Sequence, residues 1–344
     1  MGLYLSNGYL DFRGIRDKGY PYNFLIGGRG TGKTYGALCT SVEDRLPFAL
    51  MRRRQAQVDI INKPEFSPMR PVCADTGLNI TMVSVVHGIS AFVEFEEVDG
   101  KRVILGEPLG FTCALSTLAK VRGFDASTLR LLLYDEFIPE KSERALPHEA
   151  DTLFNAYETM NRNRELEGEA PLQLFCMANS NDLAAPVIVK LDLVKRLERM
   201  ADKGTELWTD DRRGLLVALL HDSPISARKR DTALYRLTEG SEFAAMALDN
   251  RFSYEDRGRI ISRPLTEYKP IVTVGEITIY QHKAKPMFYV STHKAGACIS
   301  YATGETELQR FRRAYGYLLW RECMADHVEY EDYLCQVHFT EYCS

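Results

Sequence analysis

The chain has 344 residues, of which 45% are hydrophobic and 26% charged, and its formal net charge is −4. This length and composition are typical of a soluble globular protein of two domains, and no apolar run reaches the ~20 residues of a membrane span. The eight cysteines include no CxxC pair, which favours reduced thiols over a disulfide framework or a zinc site. The N-terminus lacks the pattern of a signal peptide, so we expect a cytosolic protein.

A glycine-rich loop follows a predicted strand at residues 24–26 and precedes a predicted helix at residues 35–44. The loop matches the pattern GxxxxGK[ST] in full, so consecutive backbone N–H groups can surround the phosphates of ATP at the positive end of the helix. We expect Lys33 to reach the β- and γ-phosphates and the Thr34 hydroxyl to ligate Mg²⁺. The predicted nucleotide ligands of the loop are Gly27, Gly28, Arg29, Gly30, Thr31, Gly32, Lys33 and Thr34.

Further strands are predicted between this loop and the next chemical motif. Residues 48–53 and 80–86 form two of them, and residues 91–98 alternate like one arm of a hairpin with its turn at residues 98–101. The segment LRLLLYDEF, residues 129–137, is a buried parallel strand that ends in two carboxylates. We expect Asp135 to hold Mg²⁺ and Glu136 to act as general base, although such a pair can also merely end a strand at the solvent edge.

A neighbouring buried strand, residues 172–180, places Asn179 where it can sense the γ-phosphate. At least two strands besides that of the phosphate loop, together with an Asp-Glu pair, predict an α/β fold of the multistranded (ASCE-type) P-loop ATPase class with a largely parallel sheet. The segment MNRNRE, residues 160–165, closes a predicted helix that begins at Asp151. Its two arginines point to different faces, and pattern alone favours an ordinary solvated helix end.

The chain resembles the DNA-packaging ATPases, or encapsidation proteins, of phi29-like bacteriophages. The resemblance covers about residues 23–252 and rests on six segments in the same order at comparable spacing: NFLIGGRGTGKTY, MRRR, LLYDEFIPEK, NRNRE, MANS and EFAAMALDNRF. It implies a pentameric ring at the portal (connector) of an empty capsid in the host cytoplasm, which pumps double-stranded DNA inward with ATP and Mg²⁺. A packaging RNA is a further candidate partner.

The resemblance assigns roles to particular arginines and lysines. Arg162 corresponds to an arginine finger that acts on the neighbouring subunit, where such groups are worth ~10³–10⁵ in rate, and Arg164 is a weaker candidate for ring contacts. Lys120 and Arg122, in the segment LAKVRGF just before the Asp-Glu strand, are candidates to grip DNA phosphates from their position; a similarly placed lysine in the family supports this, although both residues also fit ordinary loop charges.

The arginine run after the second predicted strand fits two interpretations. The family carries a pair of arginines near the nucleotide at this point, but a basic strand end accounts equally well for Arg52, Arg53 and Arg54. Gln55 stands where relatives have a lysine, which argues against a role in trans at this position.

We divide the chain into an ATPase domain (1–220), a helical linker (221–256) and a small α+β domain (257–344). The linker is predicted to contain a helix that ends at Gly240 and a second short helix at residues 241–250, and the strands of the last domain are followed by a predicted helix at residues 305–326. The resemblance implies that the last of these has a ribonuclease-H-like nuclease fold without an active site. The strand in MFYVSTHK offers Ser291 and no acid, and the remaining acids of this region, among them Glu331 and Asp332, are expected at the surface. The domain is therefore expected to dock the motor on its capsid partner.

Two other functions fit the same motifs. One is a nuclease-bearing terminase large subunit that also cuts DNA, and the other is a nucleotide-binding regulator that does not move DNA. Glu136 beside Asp135 argues against a slow regulatory switch.

Overall fold

The computed structural model describes residues 2–86, 88–118, 126–140, 143, 146, 148–180, 183, 185–220, 223–241 and 259–343. The chain forms two compact units, Met1–Ser253 and Tyr254–Ser344. Most of the predicted second linker helix, residues 241–250, lies outside the described residues. None of the described helices combines the length and the apolar character that crossing a lipid bilayer requires.

The first unit is built on one large mixed sheet. Its strands are β1 (Tyr22–Gly27), β2 (Phe48–Arg52), β3 (Ile80–Val86), β4 (Ile89–Val98), β5 (Lys101–Ala114), β6 (Leu131–Asp135), β7 (Gln173–Ala178), β8 (Leu207–Asp210) and β9 (Leu215–Leu220). They lie in the order β3-β4-β5-β2-β6-β7-β1-β9-β8. The run from β5 to β9 in this order is parallel, and β3, β4 and β8 pair antiparallel with their neighbours. This confirms the predicted α/β class with a large, parallel-rich sheet.

Helices cover the sheet and bury its central strands. They are α1 (Phe12–Arg16), α2 (Lys33–Glu43), α3 (Gln55–Ile61), α4 (Met69–Thr76), α5 (Leu115–Leu118), α6 (Glu149–Asn161), α7 (Pro186–Lys190), α8 (Val194–Lys203), α9 (Pro224–Lys229) and α10 (Ala233–Leu237). Short 3₁₀ turns occur at Pro64–Phe66 and Arg164–Glu167. Every residue of β6 and β9 is buried, as the apolar sequences of these strands require when both faces of a parallel sheet are covered.

The hairpin turn predicted at residues 98–101 is confirmed: β4 and β5 turn at Asp99 and Gly100, both with φ in the left-handed region, and Val98 pairs with Lys101. Two predicted helices differ from the observed ones. The helix predicted to run to Glu165 ends at Asn161. The expected helix before Gly240 is instead the pair α9 and α10.

The second unit contains a smaller mixed sheet. Its strands are β10 (Tyr268–Val274), β11 (Ile277–His282), β12 (Phe288–Ser291), β13 (Ile299–Tyr301) and β14 (Val328–Tyr330). They lie in the order β13-β10-β11-β12-β14, with β10, β11 and β12 antiparallel and the two outer pairings parallel. A 3₁₀ turn (Leu265–Glu267) precedes the sheet, and the helices are α11 (Glu305–Phe311), α12 (Tyr317–Met324) and α13 (Tyr333–Cys343), with a π-helical turn at Arg312–Gly316. The predicted helix at residues 305–326 thus contains a π-helical turn, and α13 was not predicted.

Candidate active site

The phosphate loop connects the end of β1 to the start of α2, where the sequence predicts it. Gly30 and Gly32 have φ of 70° and 91°, a region that a residue with a Cβ rarely adopts. A Cβ on Gly27 would lie 2.5 Å from that of Leu220 on the adjacent strand β9. Gly32 is the N-cap of α2 and offers no side chain to accept a hydrogen bond. The first backbone N–H groups of α2 therefore have no capping partner. This geometry suits an anion at the helix start.

Lys33 is buried at the mouth of this loop. Its Nζ donates to the carbonyl oxygens of Gly27 at 2.8 Å and Gly28 at 2.9 Å, and it lies 3.5 Å from Oδ1 of Asn179. Burial lowers the pKa of Lys33 to about 8, while the nearby charge of Asp135 opposes that shift. The ammonium therefore rests on neutral oxygens, and an anionic ligand would favour its charged form. Asn179 lies where the sequence predicts a γ-phosphate sensor.

Thr34 and Asp135 meet at the carboxyl edge of the sheet. The Thr34 hydroxyl donates to Oδ2 of Asp135 at 2.8 Å, and Asp135 is 3% exposed. Burial raises the pKa of Asp135, although Arg52 and the Thr34 hydrogen bond act in the opposite direction. A carboxylate and a hydroxyl oxygen next to a phosphate-binding loop are ligands that Mg²⁺ accepts. The residues present therefore fit the predicted nucleotide and metal.

Arg52, the last residue of β2, pairs with both carboxylates of the Asp-Glu motif. Its Nη2 lies 2.9 Å from Oδ2 of Asp135, and its Nη1 lies 2.5 Å from Oε2 of Glu136. Glu136 follows β6 with φ of 58° and has a half-exposed side chain. The predicted base is thus paired with Arg52, one of the arginines that the resemblance put near the nucleotide; its contact with Glu136 itself was not predicted.

The other two arginines of the run lie away from these carboxylates. Arg53 is fully buried, and its Nε and Nη2 donate to Glu149 at 2.8 and 2.7 Å. Glu149 also accepts a hydrogen bond from the Tyr134 hydroxyl at 2.7 Å. Arg54 lies 3.1 Å from Glu143. Of the three arginines, Arg52 is the one that contacts the predicted catalytic pair.

The arginines of the NRNRE segment lie outside the helix on which they were predicted. Arg162 caps the C-terminus of α6 with φ of 51° and ψ of −136°, and it is exposed. Arg164 is buried, and its Nη2 donates to the carbonyls of Ala126 and Ser127 at 2.9 Å each. A side chain buried within its own subunit cannot make the ring contacts that we expected of Arg164, so that expectation was wrong. Exposure of Arg162 is compatible with a contact to another subunit.

Lys120, Arg122 and Arg29 are the remaining residues for which the sequence predicts a role. Lys120 and Arg122 lie outside the described residues. Arg29, a predicted nucleotide ligand, is exposed and its guanidinium pairs with Glu140, so in this structure its side chain does not line the phosphate loop. Its backbone carbonyl accepts a hydrogen bond from Lys229, a residue that the sequence did not single out.

Tyr9 is a second residue near the loop that the sequence did not indicate. A Cβ on Gly32 would lie 3.0 Å from the ring of Tyr9, and the backbone N–H of the next residue, Leu10, donates to Thr31 at 3.0 Å. The position of Tyr9 depends on packing of the N-terminal segment against the loop. No sequence motif around Tyr9 could indicate it.

The acids of the second unit are not all at the surface, contrary to our expectation. Asp332 is buried and Glu331 half-buried. Glu331 accepts hydrogen bonds from the Ser291 hydroxyl at 2.8 Å and from Thr292, and it pairs with His293 at 2.9 Å. These acids lie between β14 and α13, and because α13 was not predicted, their burial was missed.

Comparison with known proteins places this site in context. Residues 80–297 match the family described as Podovirus DNA encapsidation protein (Gp16). The DNA packaging protein of Bacillus phage phi29 is 25% identical over 236 residues, which is 67% of this chain and 61% of that protein. The DNA packaging protein of Bacillus phage B103 is 25% identical over 235 residues, 67% of this chain and 64% of that protein. The matched segment thus spans less than two thirds of the length of these relatives.

A solved structure shares the fold along the whole chain. A chain of the bacteriophage Phi-29 viral genome packaging motor assembly aligns with all of this chain and all of its own length, with a TM-score of 0.68 and 17% sequence identity.

Proposed function

The chain belongs to the Podovirus DNA encapsidation protein (Gp16) family, and on this basis we propose that it is an ATP-driven motor that moves double-stranded viral DNA into a preformed capsid. The observation that carries this proposal is the convergence of Lys33, Thr34 and Asp135 at one edge of a parallel sheet. The finer fold assignment, a multistranded ASCE-type ATPase, is part of the same proposal.

The described residues can bind and orient Mg-ATP. The phosphates would lie against the backbone of residues 27–34 and the start of α2, with Lys33 at the terminal phosphates and Asn179 beside it. Thr34 and Asp135 would hold Mg²⁺, which when bound neutralises charge on the phosphate oxygens. Arg29 would contribute its backbone rather than its side chain.

Glu136 is the proposed general base, which takes a proton from the attacking water. In this structure its Oε2 is paired with Nη1 of Arg52 at 2.5 Å, so that oxygen can accept the proton only after the pair opens. We therefore propose that Arg52 releases Glu136 before hydrolysis. Retention of the Arg52–Asp135 contact would keep Asp135 ionised during that step.

Arg162 is the proposed finger for the neighbouring subunit. Support comes from its exposure at the end of α6 and from its place in the family pattern. An arginine at the γ-phosphate stabilises charge in the transition state, so hydrolysis would require a ring, for which we propose a pentamer. Lys120 and Arg122 are proposed to hold DNA phosphates without reading sequence.

The remaining proposals concern the assembly. We propose that the ring acts in the host cytoplasm at the portal of the procapsid, with a packaging RNA as a further candidate partner. The second unit is proposed to be a ribonuclease-H-like domain that docks on the capsid without cutting DNA. Support comes from Ser291, which ends β12 where a nuclease needs an acid, and from the hydrogen bonds that occupy Glu331.

The test is the ATPase rate of the purified chain with and without double-stranded DNA and portal-bearing capsids. We expect slow hydrolysis by the isolated chain and a large increase with both components. Hydrolysis that ignores DNA and capsids in a strictly monomeric protein would instead support a nucleotide-binding regulator. Metal-dependent nicking of DNA would support a nuclease-bearing terminase.

A further inference from the structure

A second lysine, Lys229, contacts the phosphate loop. Strand β9 runs parallel to β1 with Leu220 opposite Gly27, so the chain that leaves β9 emerges beside the loop. Helix α9 follows, and Lys229 in its last turn donates from Nζ to the carbonyl of Arg29. A Cβ on Gly30 would overlap with this ammonium group. Gly30 therefore leaves space for the ammonium of Lys229. Its left-handed φ is a second reason for glycine at this position.

Two ammonium groups thus converge on one short loop. Lys33 is held by the carbonyls of Gly27 and Gly28, and Lys229 is held by the next carbonyl, that of Arg29. Among the described residues, no carboxylate pairs with Lys229. Burial lowers the pKa of Lys229, and its charge adds to the lowering of the pKa of Lys33. Like charges that are partly buried and rest on neutral oxygens are stabilised when an anion binds between them.

The surroundings of Lys229 favour binding of a polyphosphate over a purely structural role. A lysine that only fixed α9 to the loop would gain more from a carboxylate than from a carbonyl. Arg228, the preceding residue of the same helix, is exposed and provides a comparison, since it carries the same charge on the same turn. The flexible four-carbon side chain of lysine can move its ammonium by several ångström without movement of the helix.

We propose that Lys229 is a second phosphate-binding lysine, whose ammonium exchanges the Arg29 carbonyl for an oxygen of the terminal phosphates of a nucleoside triphosphate. The proposal rests on the proposed function, because it takes the loop at residues 27–34 to be a nucleotide site. Lys229 lies in α9 of the first unit. Binding of the triphosphate would therefore fix the end of α9 beside the phosphate loop.

The test measures binding of Mg-ATP and of AMP to the full chain by competition with a fluorescent ATP analogue. Lys229→Met removes the charge but keeps the length of the side chain, and we expect it to weaken ATP binding on the order of tenfold. AMP lacks the terminal phosphates, so its affinity should not change. Lys229→Arg should restore ATP binding to within about threefold of the wild type, because it restores the charge. Arg228→Met is the matched control and should bind ATP like the wild type.

The outcomes separate this inference from the proposed function. If the wild type does not bind ATP, the proposed function fails and the role of Lys229 fails with it. If the wild type binds ATP, Lys33→Met loses binding and Lys229→Met behaves like Arg228→Met, only the inference about Lys229 is wrong. Equal losses for ATP and AMP would mean a structural role and would also overturn it.

A measurement on the wild type covers the case in which Lys229→Met does not fold. Acetic anhydride modifies accessible lysines, and mass spectrometry reports the extent at each one. Saturating Mg-ATP should reduce acetylation of Lys229 several-fold and leave the exposed Lys101 unchanged. Equal acetylation of Lys229 with and without bound ATP would refute the contact.

Discussion

The buried ammonium of Lys33 should make ATP affinity fall above about pH 8. Burial lowers the pKa of Lys33 to about 8 in the free protein, and a bound phosphate should return it toward its ordinary value of 10.5. Below pH 8 the group is charged in both states, so affinity does not depend on it. Above pH 8 the free protein loses this proton and binding must take it up again, so affinity falls until the pH passes the pKa in the complex.

The size of the effect follows from the two pKa values. At pH 9 roughly one tenth of the free protein would carry the proton, so the apparent Kd should rise about tenfold, or about 1.4 kcal/mol. At higher pH the increase in apparent Kd is limited to a few hundred-fold, because the pKa of Lys33 can rise only from about 8 in the free protein to about 10.5 in the complex.

Isothermal titration calorimetry from pH 6.5 to 9.5, in buffers of different ionisation enthalpy, measures both the Kd and the proton uptake. We expect uptake to approach one proton per ATP near pH 9. Lys33→Arg is the matched control, because arginine stays charged and should bind without this pH dependence. Lys229 is the second lysine here whose pKa is lowered, so the titration is repeated with Lys229→Met to exclude its contribution to the pH dependence. A constant Kd from pH 7 to 9.5, or the same decline in Lys33→Arg, would refute the reasoning.

Four further predictions concern hydrolysis, DNA and stability. Glu136→Gln should keep ATP binding and lose turnover; turnover at the wild-type rate would exclude this residue as the base. Arg162→Ala should bind ATP and hydrolyse it slowly, and mixed rings of these two variants should regain activity, because some interfaces then combine both intact groups. No recovery in rings shown to be mixed would place the arginine in its own subunit. Neutralising Lys120 or Arg122 should lower the salt dependence of DNA binding by ~1 unit of slope for each contact, equally for unrelated DNA sequences. Arg53→Ala should reduce the free energy of unfolding in urea by about 3–5 kcal/mol, since it leaves a buried carboxylate unpaired; a loss below 1 kcal/mol would contradict the contact.

The sequence predicts the parts of the site that local rules determine. The phosphate loop needs glycines, a lysine and a threonine at fixed spacing, and the apolar run before Asp135 needs only burial, so both are readable from a few consecutive residues. The family assignment from the same segments is confirmed by the family match. Strand β9 has the sequence LLVALL, whose periodicity alone does not distinguish a buried strand from a helix, and it was missed.

Contacts between residues far apart in the sequence explain why the end of α6 and the position of Lys229 could not be predicted. The helix that begins at Asp151 was predicted to run to Glu165. It ends at Asn161, whose side chain accepts a hydrogen bond from the Leu172 backbone at 2.7 Å, and Arg164 is drawn to the carbonyl of Ala126. These tertiary contacts outweigh a local preference of a few tenths of a kcal/mol per residue. The contact of Lys229 likewise joins residues 200 positions apart.

The arginine run after β2 shows what the alternation of side chains along a strand can and cannot predict. Neighbouring side chains in an extended segment point to opposite sides, so Arg52 and Arg53 were bound to have different surroundings. Alternation cannot say that Glu149, the first residue of α6 and 96 positions away, closes over Arg53 with two hydrogen bonds. That pair joins the start of α6 to β2, whose last residue holds Glu136. Helix α6, which Arg162 caps at its C-terminus, is therefore attached at its other end to the chain that directly follows Arg52. In the proposed mechanism, movement of α6 on contact of Arg162 with a neighbouring subunit would be transmitted toward Arg52, which pairs with the proposed base Glu136.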